Sequence, residues 1–241
     1  MTFSIAGRCP RTGGFGAVIS SSSPAVASRC VHARAGVGVA CTQNVTDPRL
    51  GPALLDAIGG GEGAVTAVAT AAAAAGPAAR WRQLTAVTID GPPGAFSGAK
   101  ALGVFGSVVG RDCVAAGNML DSPQVLTAAA AAFDSAPDST LLEERLLAAL
   151  EAGAAAGGEA GPLHSAGLYV VADVPWPVTD LRVDWTEGDP VTELRALWQV
   201  WAPQRGDYRQ RGLDPGAAPG YGVPGDPRPT APTHHAEGTQ P

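Results

Sequence analysis

The order in which strands and helices follow one another most restricts what this chain can fold into. Short runs of alternating or β-branched residues indicate strands, and these segments are residues 2–8, 15–21, 35–42, 83–90, 95–97, 101–109, 112–117, 165–172 and 180–184. Helical patterns bounded by glycine and proline cover residues 47–58, 62–75, 122–133, 139–155 and 189–201. The first four helices come in pairs, which disfavours single βαβ crossovers. The sequence therefore predicts an α+β fold, a four-layer αββα sandwich of two mostly antiparallel sheets flanked by helix pairs.

The chain changes character after residue 203. Seven prolines follow residue 210, glycines are interspersed among them, and hydrophobic periodicity disappears. A segment of this composition buries too little apolar surface to offset the entropy of ordering it. We therefore predict one domain over residues 1–203 and a disordered, proline- and glycine-rich tail over residues 204–241.

Composition and charge narrow the possible partners. Hydrophobic residues make up 45% of the chain and the net charge is −6, with no run rich in lysine or arginine. This argues against nucleic acid, because phosphate binding needs a concentrated basic face. The longest apolar stretch, residues 64–75, is too short to span a bilayer, and the start lacks a secretory signal pattern. We expect a cytoplasmic protein that binds neither nucleic acid nor membrane.

The four cysteines do not suggest a metal site. They are Cys9, Cys30, Cys41 and Cys113, and none forms a C-x-x-C pair or a Cys/His group with zinc spacing. In a cytosolic chain, isolated cysteines of this kind are expected to be small buried thiols. The sequence therefore predicts neither a metal ion nor an organic cofactor.

The chain begins Met1-Thr2-Phe3-Ser4, and this start suggests a chemistry. Thr2 is small, so removal of Met1 by an aminopeptidase is expected. Threonine would then carry a hydroxyl nucleophile and an α-amine on one residue, and a free α-amine has a pKa of about 7.7–8.0. Such an amine is able to act as the base that activates the hydroxyl. Thr2 is therefore a candidate nucleophile, although a Met-Thr start also opens many ordinary surface strands.

Several short motifs occur in an order that is similar to a known family. They are Thr2-Phe3-Ser4-Ile5, Ala33-Arg34-Ala35-Gly36-Val37-Gly38 leading to Thr42-Gln43, Arg49-Leu50-Gly51-Pro52, Phe96-Ser97-Gly98, Gly117-Asn118-Met119-Leu120, Ala155-Ala156-Gly157-Gly158 and Asp180-Leu181-Arg182-Val183-Asp184. Together they resemble the bacterial domain-of-unknown-function family 1028 over roughly residues 2–200. The resemblance implies a fold related to the N-terminal nucleophile (Ntn) hydrolases, which are proteasome-like amidohydrolases. It does not by itself fix the reaction.

The resemblance also implies roles for three candidate catalytic residues. Thr2 would attack an amide carbonyl and form an acyl-enzyme that water then releases. Arg34, near the start of the third predicted strand, would favour a neutral amine through its charge, since arginine does not exchange its proton at ordinary pH. Asn118, after a predicted strand, would donate its amide to an oxyanion. Alternative roles are a surface ion pair for Arg34 and turn chemistry for Asn118.

Five further polar residues are predicted to contact the substrate. They are Ser22, Gln43, Asn44, His164 and Ser165. Ser22 stands in a region where the family pattern often has lysine, which weakens any scheme that needs a second cation. His164 and Ser165 begin a late strand where the pattern often has Gln-Ser. His164 titrates near physiological pH, but a wall position is favoured because the N-terminal amine already serves as base.

These residues and the resemblance together predict an amidohydrolase that acts on a small amide, ureido or peptide-like substrate. The expected assembly is a homodimer or higher homo-oligomer. Two alternatives remain open. One is a ligand-binding or scaffolding protein on the same fold that catalyses nothing. The other places the nucleophile at Cys41 or Cys113, where a thiol would need a neighbouring base.

Intact mass spectrometry of the protein made in its native host tests the first step of this reading. We expect the mass to be lower than that of the encoded chain by one methionine residue, because Thr2 is small enough for Met1 to be removed. A uniformly retained Met1 would favour the ligand-binding alternative, since the amine would then be displaced from the Thr2 hydroxyl.

Overall fold

The fold was taken from a computed structural model that describes residues 2–226. Within these residues the strands are β1 (Thr2–Cys9), β2 (Gly14–Ser21), β3 (Val31–Arg34), β4 (Gly38–Asn44), β5 (Arg82–Thr88), β6 (Gly94–Ser97), β7 (Val104–Val109), β8 (Cys113–Leu120), β9 (Ser165–Val171) and β10 (Pro177–Val183). The helices are α1 (Val26–Cys30), α2 (Leu50–Gly59), α3 (Ala64–Ala74), α4 (Gln124–Ser135), α5 (Leu142–Ala155), α6 (Pro190–Trp201) and α7 (Arg205–Leu213), with a 3₁₀ helix over Gly76–Trp81. No helix within residues 2–226 combines the length and apolar character needed to cross a membrane.

The strands form two sheets. One sheet has six strands in the order β10-β9-β2-β1-β8-β7, and the other has four in the order β3-β4-β5-β6. Every neighbouring pair is antiparallel. The predicted α+β class with antiparallel sheets is therefore confirmed. β1, which carries Thr2, lies near the centre of the larger sheet.

Apolar side chains cover both faces of each sheet. Helices α4 and α5 pack on β1, β2 and β8, and helices α2 and α3 pack on β4, β5 and β6. The other faces meet each other, with β1 and β2 against β4. Buried Phe15, Ile19, Val39 and Val87 belong to the core cluster between the sheets. Successive side chains of a strand point to opposite faces of the sheet, so β1, β2 and β8, which are buried at nearly every position, contribute to both faces.

The region before the third predicted strand differs from the prediction. Instead of one strand over residues 35–42, the chain forms α1, then the hairpin of β3 and β4. Gly36 adopts a φ of 71° in the hairpin turn, a conformation that favours glycine. α1 has only five residues and β3 only four, so neither is long enough to give a periodic sequence signal.

The carboxyl-terminal segment also differs from the prediction of a disordered tail over residues 204–241. Residues 2–198 form one compact unit, and residue 199 begins a second. In this second unit Arg205–Leu213 form helix α7, which the composition of the segment did not indicate. The Arg211 guanidinium lies 4.9 Å and 4.1 Å from the ring centres of Tyr208 and Tyr221, a local stacking that hydrophobic periodicity does not report. Residues 227–241 of the predicted tail lie outside the described residues.

Two glycines at one helix–sheet contact give a test of this packing. A Cβ on Gly94 would meet the backbone of Ala64, lying 2.7 Å from its carbonyl carbon, whereas a Cβ on Gly63 would have no atom within 4 Å. We expect Gly94→Ala to lower the free energy of unfolding by about 1–3 kcal/mol, because the backbone must move. Gly63→Ala, at the N-cap of α3 with a φ of −70°, should lower it by no more than about 0.5–1 kcal/mol, because its Cβ meets no atom and only the N-cap preference for glycine over alanine is lost. Urea denaturation measures both, and equal stabilities would contradict the described contact.

Candidate functional site

A row of polar residues crosses the four central strands of the six-stranded sheet near one end of these strands. Thr2 pairs with Asn118 of β8, and Ser21 of β2 pairs with Ser165 of β9. β1 joins the two pairs, because the Thr2 Oγ1 lies 3.2 Å from the Ser21 Oγ. Directly opposed residues on neighbouring strands project from the same face of a sheet. The four side chains therefore share one face of the sheet. They are called the polar row below, and their order across the sheet is Ser165, Ser21, Thr2 and Asn118.

The polar row faces the four-stranded sheet. Ser4, two residues along β1 and hence on the same face as Thr2, donates its hydroxyl to Gln43 Oε1 on β4 at 2.7 Å. Thr2 is only 6% exposed, so its hydroxyl does not lie in open solvent. The Ser21 Oγ that it contacts lies 2.9 Å from the Ser23 Oγ. The Thr2 hydroxyl thus belongs to a chain of hydroxyl groups that is able to relay a proton.

A buried amide network joins the two sheets beneath the row. Gln83 Oε1 accepts hydrogen bonds from Gln43 Nε2 at 2.8 Å and from Asn118 Nδ2 at 3.1 Å. Gln83 Nε2 donates to the carbonyl oxygen of Gly117 at 2.9 Å. Gln43 and Asn118 are 1% exposed and Gln83 is fully buried. The network fixes the Asn118 amide opposite Thr2 and gives Gln43 a structural role, and the contact of Gln43 with substrate stays a prediction.

Glu159, which is not among the candidates predicted from the sequence, also lies at the site. Its backbone pairs with Leu120, two residues beyond Asn118 on β8. Because β1 begins opposite Asn118, Glu159 lies beside β8 where a continuation of β1 would run. Its Oε2 accepts a hydrogen bond from the Ser22 backbone N–H at 3.2 Å. A carboxyl group therefore lies at the amino-terminal end of β1, next to Thr2. Ser22 contacts this carboxyl group through its backbone N–H, and a contact of Ser22 with substrate stays a prediction.

The Glu159 carboxyl is buried and incompletely hydrogen-bonded. It is 5% exposed, and its Oε1 accepts no hydrogen bond from any residue in the described range. Burial raises its pKa to about 7, while the positive charge of the amino terminus and hydrogen bonds from Ser22 oppose the shift. The group therefore changes charge near neutral pH. A sequence signal existed, since Glu159 is the only charged residue between residues 152 and 172 and directly follows Gly157-Gly158.

Arg34 does not join the polar row, contrary to the sequence prediction. It ends β3 opposite Gly38, whereas Gln43, which contacts the site, lies at the other end of β4, about 17 Å away at the usual strand rise. Arg34 instead donates to Asp56 at 2.8 Å, and its side chain is 47% exposed. Arg34 lies away from the polar row because the short strand β3 places it at a hairpin turn on the edge of the four-stranded sheet.

Asn44 and Ser165 hold the chain rather than face a ligand. Asn44 donates to the Trp81 carbonyl and accepts from the Leu102 N–H, the latter at 3.2 Å. Its φ of 69° suits asparagine, which tolerates the left-handed region. The Ser165 hydroxyl donates to the Ser23 carbonyl at 2.6 Å. Both residues make structural hydrogen bonds at the border of the site, and their contacts with substrate stay predictions.

Two histidine rings, those of His32 and His164, make their contacts elsewhere. His164 stacks on Trp185 with ring centres 4.2 Å apart, and its Nδ1 lies 2.8 Å from the Thr186 carbonyl oxygen. The His32 ring packs against Gly51, so that a Cβ there would overlap it, and burial lowers the His32 pKa. Neither ring contacts the polar row. The wall position of His164 stays a prediction.

The structure argues against the thiol alternative. Cys41 and Cys113 are fully buried. Burial raises the pKa of both thiols to about 12, with the carboxylate of Asp134 adding to the shift at Cys113. A reactive cysteine needs a lowered pKa and access to solvent. Neither thiol meets these conditions.

Comparison with known proteins defines the family. The model of a family of unknown function, DUF1028, matches residues 2–194, and the chain belongs to this family. The crystal structure of protein SPO2555 from Silicibacter pomeroyi, also of the DUF1028 family, is similar over 87% of this chain and 92% of that one, with 30% sequence identity and a TM-score of 0.77. No curated protein matches the chain. The resemblance noted in the sequence is therefore confirmed at the level of the family.

The buried carboxyl predicts a specific pH dependence of stability. Glu159 has an ordinary pKa of 4.5 and a pKa of about 7 in the folded chain. The folded chain therefore keeps a proton that the unfolded chain loses, so this contribution to stability is present below pH 4.5 and is lost as pH rises to about 7. Glu159→Gln should remove that loss. Relative to wild type, the variant should gain on the order of 3 kcal/mol in unfolding free energy between pH 4 and pH 8.

Urea denaturation at several pH values measures this difference. Glu187→Gln, on an exposed side chain, serves as the matched control and should follow the wild-type pH profile. Parallel profiles for Glu159→Gln and wild type would contradict a buried, proton-binding Glu159.

Proposed function

We propose that this chain is an amidohydrolase of the N-terminal nucleophile type, with Thr2 as nucleophile after removal of Met1. The packing of α2 and α3 on one sheet, and of α4 and α5 on the other, supports an αββα sandwich of the Ntn-hydrolase kind. One observation carries the proposal. The Thr2 hydroxyl is buried at the start of a central strand, beside another hydroxyl at 3.2 Å, with a carboxyl group at the same strand end.

The proposed reaction has two steps. The Thr2 Oγ1 attacks the carbonyl carbon of the substrate while its proton passes to the α-amine of Thr2, either directly or through the Ser21 hydroxyl. The C–N bond then breaks, the leaving amine takes that proton, and an ester on Thr2 remains. Water attacks the ester, gives its proton to the same amine, and releases the acid as Oγ1 regains a proton.

Two neighbours would assist this chemistry. The Asn118 amide has two N–H groups, and Gln83 accepts one of them. The second would donate to the oxygen of the tetrahedral intermediate, a contribution typically worth about 10²–10³ in rate. The Glu159 carboxyl would accept a hydrogen bond from the α-amine and orient its lone pair towards the hydroxyl. With a pKa of about 7, it would hold the amine without the full cost of an ion pair at neutral pH.

The substrate that fits this proposal is a small amide, ureido or peptide-like compound. The groups nearest to Thr2 are hydroxyl and amide groups together with one carboxyl group, whereas Arg29 reaches only the far end of the hydroxyl chain at Ser23 and Arg34 lies elsewhere. Such a lining recognises a polar amide through hydrogen bonds rather than through a strong positive charge. No metal ion or organic cofactor enters the proposed reaction. A cytoplasmic setting and a homo-oligomeric assembly belong to the same proposal.

Turnover by Met1-free protein, screened against small amides and ureido acids, tests the assignment. For any substrate found, we expect Thr2→Ala to lower kcat at least about 1,000-fold, because the nucleophile is lost. Cys41→Ala and Cys113→Ala should keep activity wherever they remain folded. Glu159→Gln and Asn118→Ala should lower kcat more than they change KM.

The same set of variants separates the alternatives. Loss of activity in a cysteine variant, with Thr2→Ala still active, would support a thiol nucleophile. Tight binding of a screened compound by both wild type and Thr2→Ala, without turnover, would instead support a ligand-binding protein on this fold.

A further inference from the structure

A polar cavity lies at the end of β1 opposite Thr2. Thr2 begins this strand and Cys9 ends it, so the two ends are separated by about 23 Å at the usual strand rise. The cavity has a volume of 230 Å³ and is lined by Cys9, Arg11, Arg111 and Arg145, among others. The reaction proposed at Thr2 uses none of these residues. The cavity therefore requires an explanation of its own.

Arg145 is the unusual group in this cavity. It projects from α5, yet it is 1% exposed. Its Nε and Nη2 donate to the Phe133 carbonyl oxygen at 3.4 and 3.3 Å, and its guanidinium lies 4.2 Å from the Phe133 ring centre. No carboxylate among residues 2–226 forms an ion pair with it. A buried cation without a counter-charge is unfavourable, so an anion in the cavity would stabilise it.

Two exposed arginines stand at the mouth of the cavity. Arg11 donates its Nε to the Asp138 carbonyl at 3.2 Å, and the Arg111 Nη2 lies 3.2 Å from an Asp138 carboxylate oxygen. The carboxylate of Asp112 is held by Arg8 at 2.9 Å and by Arg111 at 3.3 Å.

The charges around this cavity do not cancel. Four guanidinium groups face three carboxylates, since Asp134 also approaches through the Arg111 N–H and the Cys113 thiol. The groups are Arg8, Arg11, Arg111 and Arg145 against Asp112, Asp134 and Asp138. One positive charge remains in excess. Among the described residues, Arg11 and Arg145 form no ion pair with a carboxylate, and of these two Arg145 is the buried one.

We propose that this cavity binds a small molecule through an oxyanion group, either a phosphate or a carboxylate. Arg145 at its floor would present its remaining N–H groups to two oxygens of the anion, as guanidinium groups do. Arg11 and Arg111 would close the mouth over it. A cavity of 230 Å³ is smaller than the 300–1,000 Å³ typical of drug-sized ligands. The ligand is therefore a compact anion, and its site is distinct from that of the Thr2 chemistry.

Isothermal titration calorimetry of the full chain with inorganic phosphate, and separately with malonate, tests the proposal at constant ionic strength in chloride buffer. We expect saturable binding at one site by at least one of the two anions, and the tighter one identifies the oxyanion group. Arg11→Gln and Arg111→Gln should each weaken binding about tenfold or more, because each removes a charged donor. Both side chains are exposed at the mouth, so the variants should fold.

The control is Arg182→Gln, which removes an arginine whose side chain is 40% exposed and paired with Asp184 outside the cavity. It should bind the anion with wild-type affinity. Arg145→Lys, which keeps the charge but loses the fork of N–H groups, should bind more weakly than wild type while remaining folded by circular dichroism. Absence of saturable binding for both anions up to about 10 mM, or an equal loss in Arg182→Gln, would overturn the proposal.

Discussion

The hydrogen-bonded amides between the two sheets are the interaction on which the site depends. Gln43 and Gln83 are polar side chains in a core where an unpaired amide is costly, so the register of each strand must bring every donor to an acceptor. The side-chain oxygen of Gln83 accepts hydrogen bonds from the amides of Gln43 and Asn118, and the side-chain oxygen of Gln43 accepts one from the Ser4 hydroxyl. One residue thereby aligns β1, β4, β5 and β8. The position of Thr2 opposite Asn118 is a consequence of that alignment.

The same alignment explains why the carboxyl of Glu159 is held near Thr2. The larger sheet leaves a gap beyond the first residue of β1, between β2 and β8, and the segment after α5 fills it by pairing with Leu120. The side chain is then trapped with few donors, and burial raises its pKa to about 7. A group that titrates at neutral pH beside a candidate N-terminal nucleophile is a common sign of a functional site.

Most of the secondary structure could be predicted, because the longer strands and helices have clear periodicity and glycine-rich boundaries. The site could be predicted only in part. Thr2 and Asn118 can be identified as candidates from their chain position and residue type. In the sequence, Gln83 is an ordinary strand residue and Glu159 an isolated acidic residue, so neither is identified as part of a site. Arg34 was misplaced because α1 and β3 are too short to be read from sequence. Contacts between distant segments depend on register, and sequence pattern does not report register between non-neighbouring strands.

The central claim is that the Thr2 hydroxyl is an activated nucleophile, and covalent labelling tests it most directly. Met1-free protein would be treated with a β-lactone, which acylates an activated hydroxyl by ring opening, and the adduct would be located by peptide mass spectrometry. The account predicts a single adduct on the Thr2 side chain, formed faster as pH rises towards the pKa of its amine. An adduct confined to Cys41 or Cys113, or none on Thr2 in folded protein, would contradict it.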